Sequence, residues 1–444
     1  MKDIPGNRMK LVAHSGLGMI VPLPLRERER GRGGAVAGSA APRATTRQGA
    51  SGFFARGPKR ILPVALLAAF SATASAAAFQ NWEQDASSLG VAHAGSAATA
   101  DSAASLYYNP AGLARLDGVQ FSAGFTGLRP IADFDDKGSS GPGLGDGGDA
   151  GRWLSLPNAS LSARLGSDLT LGLGVSRPFA LDTRYDSGWL GQTQAQHSEI
   201  RTLNINPAIA YRLSDKIALG FGLDYQTIDL DFSRAGQRLK GDDGSWGWNA
   251  GALFTLSPNM RVGISYRSAI EHKLDGKVDG EAARASITLP ETAILSVWQQ
   301  VSAQWEAMGD LSYTRWNRLK QVVFTDRASG AALAAEPFTY GNSWRLAWGA
   351  AYRVNDIFKF KFGFAWERSP IGNNGRTARL PDADSLRLAF GVQWLLGAWG
   401  RLDAGYSYLL MRDAKIAQIR DGNLLRGEYE NGAHTAGVQY SLGF

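Results

Sequence analysis

The feature that most restricts the fold of this chain is a two-residue alternation of apolar and polar side chains. In the segment HTAGVQYSLGF at 434–444, apolar residues occupy every second position and small or polar residues fill the positions between them. The segment IFKFKFGFAWE at 357–367 repeats the pattern, with five large aromatic residues on one face and mainly charged or small residues on the other. An aromatic face of this size cannot face water, so one side of each strand needs apolar surroundings.

A transmembrane β-barrel satisfies both faces, because lipid surrounds its outer wall and polar groups line its lumen. A soluble sandwich would cover the apolar face with a second sheet, but nearly all of its strands would also need water on the charged side. The number of alternating runs is even, as in single-chain bacterial barrels. We therefore predict an all-β protein, a 14-stranded antiparallel transmembrane β-barrel, with a partly helical N-terminal hatch that plugs the lumen. The predicted strands are 119–129, 153–165, 168–179, 198–213, 216–232, 246–256, 260–271, 289–303, 305–324, 342–354, 357–368, 385–396, 400–412 and 433–444.

Short and long connections alternate between these runs. Short turns at 166–168, 257–259, 355–356 and 397–400 are expected on the periplasmic side. Long loops are then extracellular, including the glycine-rich loop from Asp133 to Gly151.

Two strands depart from simple alternation. Along 216–232 the apolar set changes phase after Tyr225, which predicts a β-bulge near Gln226 and Thr227. The third strand ends at Pro178, which has no N–H to donate to a neighbouring strand, so we expect the pairing to be interrupted there. An interrupted ladder in a barrel wall is a candidate side opening.

The formal net charge of +7 suggests an acidic partner until the charges are located. From Phe79 onward the chain has 35 basic and 37 acidic residues, so the body is almost neutral and nucleic-acid binding is not expected. The excess lies before it, where Lys59 and Arg60 precede an apolar run and small residues, as in a secretory signal peptide cleaved between Ser75 and Phe79. The predicted organisation is a disordered extension or misassigned start at 1–58, a signal peptide at 59–78, a hatch at 79–117 and the barrel at 118–444.

Enzymatic chemistry has weak support in the sequence. The chain has no cysteine, and the dinucleotide-like GLGDGG at 143–148 has no strand before it and no helix after it. The acidic segment from Asp275 to Glu281 is expected to be a solvated loop, because it lacks the full spacing of a calcium site. We predict no catalytic residue, metal or cofactor. The alternatives are an outer-membrane lipid hydrolase using His272 or His434, although no G-x-S-x-G motif is present, and a structural or adhesive barrel.

The segment before the barrel, FQNWEQDASSLGVAHAGSAATADSAASLYYNPAGLARL at 79–116, carries a specific resemblance. It resembles the hatch of the long-chain fatty-acid outer-membrane transporter (FadL) family, which includes aromatic-hydrocarbon uptake members. Four later segments resemble that family in the same order, GVSRPFALDTRYDSGWLGQ, RTLNINPAIAYRLSDKIALGFGLDYQ, MRVGISYRSAIEHKLDG and ARLPDADSLRLAFGVQW.

The resemblance implies that hydrophobic ligands are captured outside, pass to a lumenal pocket and leave sideways at a kink in the third strand. It implies that the Asn-Pro-Ala motif lies beside that kink. From the chemistry of the two residues, we expect the proline to end a short helix and the asparagine to satisfy exposed backbone groups at the break in the wall. The hatch and lateral gate would then consist of Asn109, Pro110, Ala111, Arg177 and Pro178, and Phe79 would form part of the ligand pocket.

The ligand class stays open at the level of the sequence. Fatty acids would need an inward cation for the carboxylate, and Arg345, Arg353 and Arg387 are the candidates, whereas aromatic hydrocarbons would need none. The same arginines could equally line the lumen in pairs with aspartate or glutamate. The segment Ser233 to Ser245 is short and polar where the best-known family members have a long helical capture loop, so capture would be weaker or use the loops 188–196 or 329–340.

Together these patterns predict a passive channel for hydrophobic small molecules in the bacterial outer membrane. The expected partners are a fatty acid or hydrocarbon ligand, outer-membrane lipids and the assembly machinery, which many barrels engage through a terminal Phe such as Phe444. The chain is expected to be a monomer.

Overall fold

A computed structural model describes residues 78–444 of the chain. The predicted extension at 1–58 and the predicted signal peptide, apart from Ala78, lie outside the described residues. Among residues 78–444, no helix is both long enough and apolar enough to cross a membrane.

The described chain forms a closed barrel of fourteen antiparallel strands, which confirms the predicted fold class. Strands β1 and β20 close it, with pairs from Gln120↔Gly443 to Asp136↔Gly427. The barrel strands comprise twenty segments, because six of them are interrupted once. The segments are β1 Val119–Asp136, β2 Leu154–Leu165, β3 Leu169–Ser176, β4 Ala180–Arg184, β5 His197–Ser214, β6 Ile217–Arg234, β7 Gln237–Ser257, β8 Met260–Arg267, β9 Ile270–Val278, β10 Glu281–Leu289, β11 Thr292–Gln300, β12 Trp305–Thr314, β13 Gln321–Asp326, β14 Ala332–Pro337, β15 Ser343–Arg353, β16 Phe358–Glu367, β17 Ser385–Leu395, β18 Arg401–Met411, β19 Ala414–Arg420 and β20 Asn423–Gly443.

The third barrel strand consists of β3 and β4, which are separated at Arg177–Phe179. Strands β2 and β3 pair from Leu165↔Leu169 only as far as Ala159↔Val175. The interruption expected from Pro178 is therefore present in the structure.

The phase change in β6 has a different cause from the predicted bulge. Strand β6 pairs with β7 in one unbroken register from Ile217↔Phe254 to Arg234↔Gln237, so the bulge expected at Gln226 and Thr227 is wrong. Odd-numbered residues point outward and even-numbered residues point inward along the whole strand. The medium outside the wall changes along the strand. In the half that begins at Ile217 the outward residues are apolar and face lipid, whereas toward Arg234 the outer face meets water and the apolar residues point into the lumen.

The lumen therefore becomes apolar toward the loop end of the barrel. Leu219, Phe221 and Leu223 face outward and are each 46% exposed, whereas Ile228 and Phe232 face inward and are each 1% exposed. One sequence pattern thus supplies both the lipid-facing band and an apolar upper lumen.

Two expected extracellular loops are extended hairpins instead. Strand β6 continues to Arg234 and β7 begins at Gln237, so the segment 233–245 is mostly strand rather than a polar loop. The acidic segment 275–281 likewise belongs to β9 and β10, which turn at Asp279 and Gly280. Both turn residues have positive φ, as a two-residue hairpin turn requires.

The hatch fills the lumen and contains three short 3₁₀ helices, Leu89–Val91, Ala103–Leu106 and Pro110–Arg115. Much of its backbone is irregular, so its carbonyls need donors from the wall. Arg261 Nε donates to Ala98 O over 2.9 Å, and Arg164 Nε donates to Leu116 O over 2.8 Å. Arginines of the barrel wall thus stabilise the hatch.

Candidate functional site

The upper lumen contains an apolar cluster centred on the start of the described chain. Phe79 is 3% exposed and packs edge-on against Trp316 and Phe179, at ring-centroid distances of 4.8 and 6.0 Å. The inward residues of the upper strands surround these rings, among them Ile200, Ile228, Leu230, Ile287 and Phe324. Phe79 therefore lies in an apolar environment, as a pocket residue should.

A cavity lies beside Phe79, and we call it the Phe79 cavity. Its volume is about 120 Å³. Its apolar lining includes Phe79, Leu128, Leu154, Leu181 and Leu409. A mostly apolar cavity with a few polar groups is typical of a small-molecule site.

The hatch covers the interruption in the third barrel strand. Gln84 accepts from the Arg177 N–H at 2.8 Å and donates to the Arg177 carbonyl at 2.9 Å. Asn81 N donates to Pro178 O at 2.8 Å, and Gln80 forms an antiparallel bridge with Phe179. At the interruption, the start of the hatch thus replaces β2 as the hydrogen-bonding partner of the third barrel strand.

The wall side of the interruption is bridged by a single long side chain. Arg177 Nη1 donates to Ser155 O at 3.0 Å, across from β3 to β2. Residues 154–158 of β2 have no pairing partner in β3, because the pairing of these two strands ends at Ala159. Arg177 and Pro178 thus lie where the sequence placed them, at a break in the wall.

The Asn-Pro-Ala motif contacts a different part of the barrel. Asn109 is 1% exposed, and its Nδ2 donates to Ala97 O at 2.8 Å and to Ala252 O of β7 at 3.1 Å. A Cβ on Gly251 would overlap Asn109 Oδ1, and a Cβ on Gly220 would overlap the Ala111 backbone. The motif therefore docks on the fifth and sixth barrel strands, while Asn81 and Gln84 contact the interruption.

Pro110 begins a helix rather than ending one. It is the first residue of the helix Pro110–Arg115, and Asn109 caps this helix by accepting from Ala111 N at 3.0 Å. Proline suits this position, because the first helical N–H has no partner within the helix. The expected helix stop at Pro110 is wrong for this reason.

The three candidate arginines separate into two environments. Arg345 is 2% exposed, and its Nε lies 2.8 Å from Glu367 Oε1. Arg387 is 4% exposed, lines the Phe79 cavity and has its Nη1 2.6 Å from Glu83 Oε1. Arg353 is exposed at the short-turn end of β15, far along the strand from the apolar cluster. The structure thus pairs two of these arginines with carboxylates.

A buried carboxylate holds the start of the hatch. Asp382 Oδ2 accepts from Ala78 N at 3.0 Å and from Ser369 Oγ at 2.6 Å. Asp382 belongs to the loop between β16 and β17, and its burial raises its pKa to about 7. The loop and the hatch are thus joined at the edge of the Phe79 cavity.

The long loops pack over the loop end of the barrel. Tyr185 stacks on Trp189 at a ring-centroid distance of 3.8 Å, and its hydroxyl lies 2.9 Å from the hydroxyl of Tyr429. Glu336 lies 3.1 Å from Arg379 and 2.9 Å from Arg420. The segments 188–196 and 329–340, proposed from the sequence as capture loops, thus take part in this packed cap.

His272 and His434, the two histidines considered for a hydrolase, do not form a hydrolytic site. His272 Nδ1 lies 3.0 Å from Asp243, but the hydroxyl of Ser245 donates to Asp243 and not to the imidazole. His434 Nδ1 lies 2.8 Å from the Tyr406 hydroxyl. Neither arrangement is a nucleophile with its base. Within residues 78–444, no three carboxylate or histidine side chains converge as a metal site would require.

Several residues of this site are not predicted individually from the sequence, among them Asn81, Glu83, Gln84, Trp316 and Asp382. Glu83 and Gln84 lie in the hatch segment, and Asp382 lies in ARLPDADSLRLAFGVQW, which was noted only as a resemblance. The sequence signal for the apolar lumen is the phase change in β6, which places apolar residues on the inward face and does not mark a bulge.

Comparison with known proteins decides the family. The family model described as Outer membrane protein transport protein (OMPP1/FadL/TodX) matches residues 67–444. The chain belongs to this family. The resemblance noted in the sequence is thereby confirmed, and so is the location of this OMPP1/FadL/TodX member in the outer membrane.

Curated relatives of this OMPP1/FadL/TodX member are transport and outer-membrane proteins rather than enzymes. It is 27% identical over 420 residues to the long-chain fatty acid transport protein of Escherichia coli K12, covering 81% of this chain and 93% of the relative. It is 25% identical over 424 residues to outer membrane protein P1 of Haemophilus influenzae, covering 81% and 91%.

Solved structures show the same fold. A Pseudomonas aeruginosa FadL homologue superposes with a TM-score of 0.78 at 20% identity, covering 83% of this chain and 100% of the other. The Pseudomonas putida toluene transporter TodX gives a TM-score of 0.63 at 17% identity, with the same coverage. The family is one of outer-membrane transporters for fatty acids or hydrocarbons.

Proposed function

We propose that this protein is a passive outer-membrane channel for hydrophobic small molecules. The Phe79 cavity is the lumenal site, and the interruption of the third barrel strand is the sideways exit. One observation carries the proposal: the cavity is lined by Leu154 on one side of the interruption and by Ala180 and Leu181 on the other. A ligand in the cavity therefore already borders the break in the wall.

The physical basis is the poor solubility of apolar molecules in a water-filled pore. An apolar cavity with a lateral exit passes such a molecule from the lumen to the hydrocarbon layer without a water column. A concentration gradient is a sufficient driving force for this route.

Two parts of the hatch have different roles in this proposal. Asn81 and Gln84, together with Arg177 and Pro178, form the gate, since their hydrogen bonds close the interruption. The motif Asn109–Ala111 anchors the remaining hatch to β6 and β7. The hatch can then release its first residues without leaving the lumen.

Candidate ligands are long-chain fatty acids and toluene, for which two of these similar proteins are named transporters. We further propose that the barrel acts as a monomer, contacts outer-membrane lipids through its aromatic outer wall and uses Phe444 during assembly.

Uptake of radiolabelled oleate and toluene in a deletion strain complemented with variants tests the exit. Leu154→Trp should lower uptake by narrowing the interruption, while Leu161→Trp, which changes an outward position on the same strand, should not. Equal uptake by both variants, at equal amounts of folded barrel, would refute the lateral exit. The absence of an uptake defect for either compound in the deletion strain would refute transport itself.

A further inference from the structure

The charged groups around the Phe79 cavity are mostly negative. Its lining includes four acidic residues, Glu83, Asp182, Glu367 and Asp382, and one basic residue, Arg387. A cavity that binds a fatty-acid anion would be expected to show the opposite balance.

The guanidinium of Arg387 is already compensated. Its Nη1 lies 2.6 Å from Glu83 Oε1, and the two residues are 4% and 1% exposed. Ser407 Oγ accepts a hydrogen bond from the same nitrogen at 3.0 Å. A ligand carboxylate beside Arg387 would be a second buried anion for one buried cation, because Glu83 already balances that charge.

Asp382 adds negative charge that no cation of the cavity lining balances. Glu367 is paired with Arg345, but Asp382 receives only uncharged donors among its hydrogen bonds, namely Ala78 N and Ser369 Oγ. Asp182 lies 3.5 Å from His197. The field in the cavity therefore opposes a second anion.

The neighbouring loop cations are also engaged within the described residues. Arg379 and Arg420 share Glu336. Arg376 donates from Nε to the backbone carbonyl of Asp382 at 2.8 Å and from Nη1 to Asn373 at 2.7 Å. These contacts hold the loops together above the cavity.

Building on the proposed function, we infer that the Phe79 cavity takes uncharged hydrophobic molecules, such as hydrocarbons or alkanols, and discriminates against carboxylates. An uncharged chain gains from apolar burial. A carboxylate loses its hydration and meets fixed negative charge. Arg387 Nε has no hydrogen-bond partner, so it can donate to one uncharged ligand oxygen.

The test compares dodecanol with dodecanoate, and toluene with benzoate, as ligands of the purified full barrel in lipid nanodiscs. Binding is measured at pH 8, where the carboxylates of both ligands are ionised. We expect each uncharged ligand to bind at least about tenfold more tightly than its carboxylate counterpart. Equal or tighter binding of dodecanoate would overturn the inference and leave the proposed channel intact. Failure of dodecanol and toluene to bind would overturn both proposals.

A gain-of-function variant tests the cause. Glu83→Gln removes the negative charge that compensates Arg387. Dodecanoate should therefore bind about tenfold more tightly, while the affinity for dodecanol should change little. The matched control is Glu306→Gln, which uncovers Lys359 in a separate polar cavity and should change neither affinity. If Glu83→Gln fails to fold, Asp382→Asn removes one negative charge and should narrow the difference between the two ligands several-fold. An unchanged ratio in the folded variant would overturn the inference.

Discussion

The Ala78 N–H donates to the buried carboxylate of Asp382 over 3.0 Å, and this bond joins the residue next to Phe79 to the loop between β16 and β17. The two residues are 304 positions apart in the chain. The contact lies at the edge of the Phe79 cavity, which both residues line. The start of the hatch is therefore held by the loop end of the barrel as well as by the third strand.

Asp382 should make stability depend on pH. Burial raises its pKa from 3.8 to about 7, so the folded protein holds a proton that the unfolded chain releases between about pH 4 and 7. The free energy of unfolding contributed by this group is therefore highest below pH 4 and falls as the pH rises through 7. The thermal unfolding midpoint of Asp382→Asn, measured relative to that of the wild type, should be higher at pH 8 than at pH 5. An identical difference at both pH values would contradict this assignment.

Gly251→Ala should weaken the docking of the hatch. A Cβ at this position would overlap Asn109 Oδ1, and forced overpacking usually costs about 1–3 kcal/mol. Trypsin cleavage after Arg115 in the folded barrel should become faster. Gly309→Ala is the control, since its Cβ would meet only Ala347 O at 3.5 Å. Equal protection in both variants would show that close packing at Gly251 is unimportant.

Asn109→Ala should loosen the same anchor by a different mechanism. The substitution leaves the carbonyls of Ala97 and Ala252 without their donor, at a cost of about 1–3 kcal/mol. Hydrogen exchange in the hatch should increase, whereas Asn259→Ala at an exposed turn should leave it unchanged. Pro110→Ala should have a smaller effect, because alanine is tolerated at the start of a helix. Normal uptake by both hatch variants, with a normally assembled barrel, would exclude a role for the motif in transport.

Phe79→Ala should reduce affinity for an apolar ligand. Burial of a phenylalanine side chain is worth about 1.5–3 kcal/mol, and part of that surface adjoins the cavity. Dodecanol binding to the purified barrel should weaken by about tenfold or more. The control is Phe358→Ala, which changes an outward residue that is 38% exposed. Comparable weakening in both variants would place the ligand outside the Phe79 cavity.

Local pattern was sufficient for most of the fold. Alternation along each strand gave fourteen barrel strands, and the missing N–H of Pro178 located the interruption, because both depend on residues adjacent in the chain. The long hairpins at 233–245 and 275–281 were missed for a related reason. Their outer faces meet water, so their polar residues resemble a loop in sequence.

Only part of the candidate site could be predicted from the local sequence pattern. Phe79 was placed in a pocket through the family resemblance, but its neighbours Phe179 and Trp316 come from distant segments. The arginines illustrate the same difficulty. Alternation shows that Arg345 and Arg387 point inward, yet it cannot show that Glu367 and Glu83 compensate them.

The sequence by itself determined the strand periodicity, the closed barrel it implies and the break at Pro178, since each follows from the properties of residues that are neighbours along one strand. Only the tertiary structure decided the polarity of the Phe79 cavity, the docking of Asn109 on β7 and the bond between Ala78 and Asp382. These features arise where residues far apart in the chain meet in a lumen of low dielectric constant. The energy of a charge there depends on its partner.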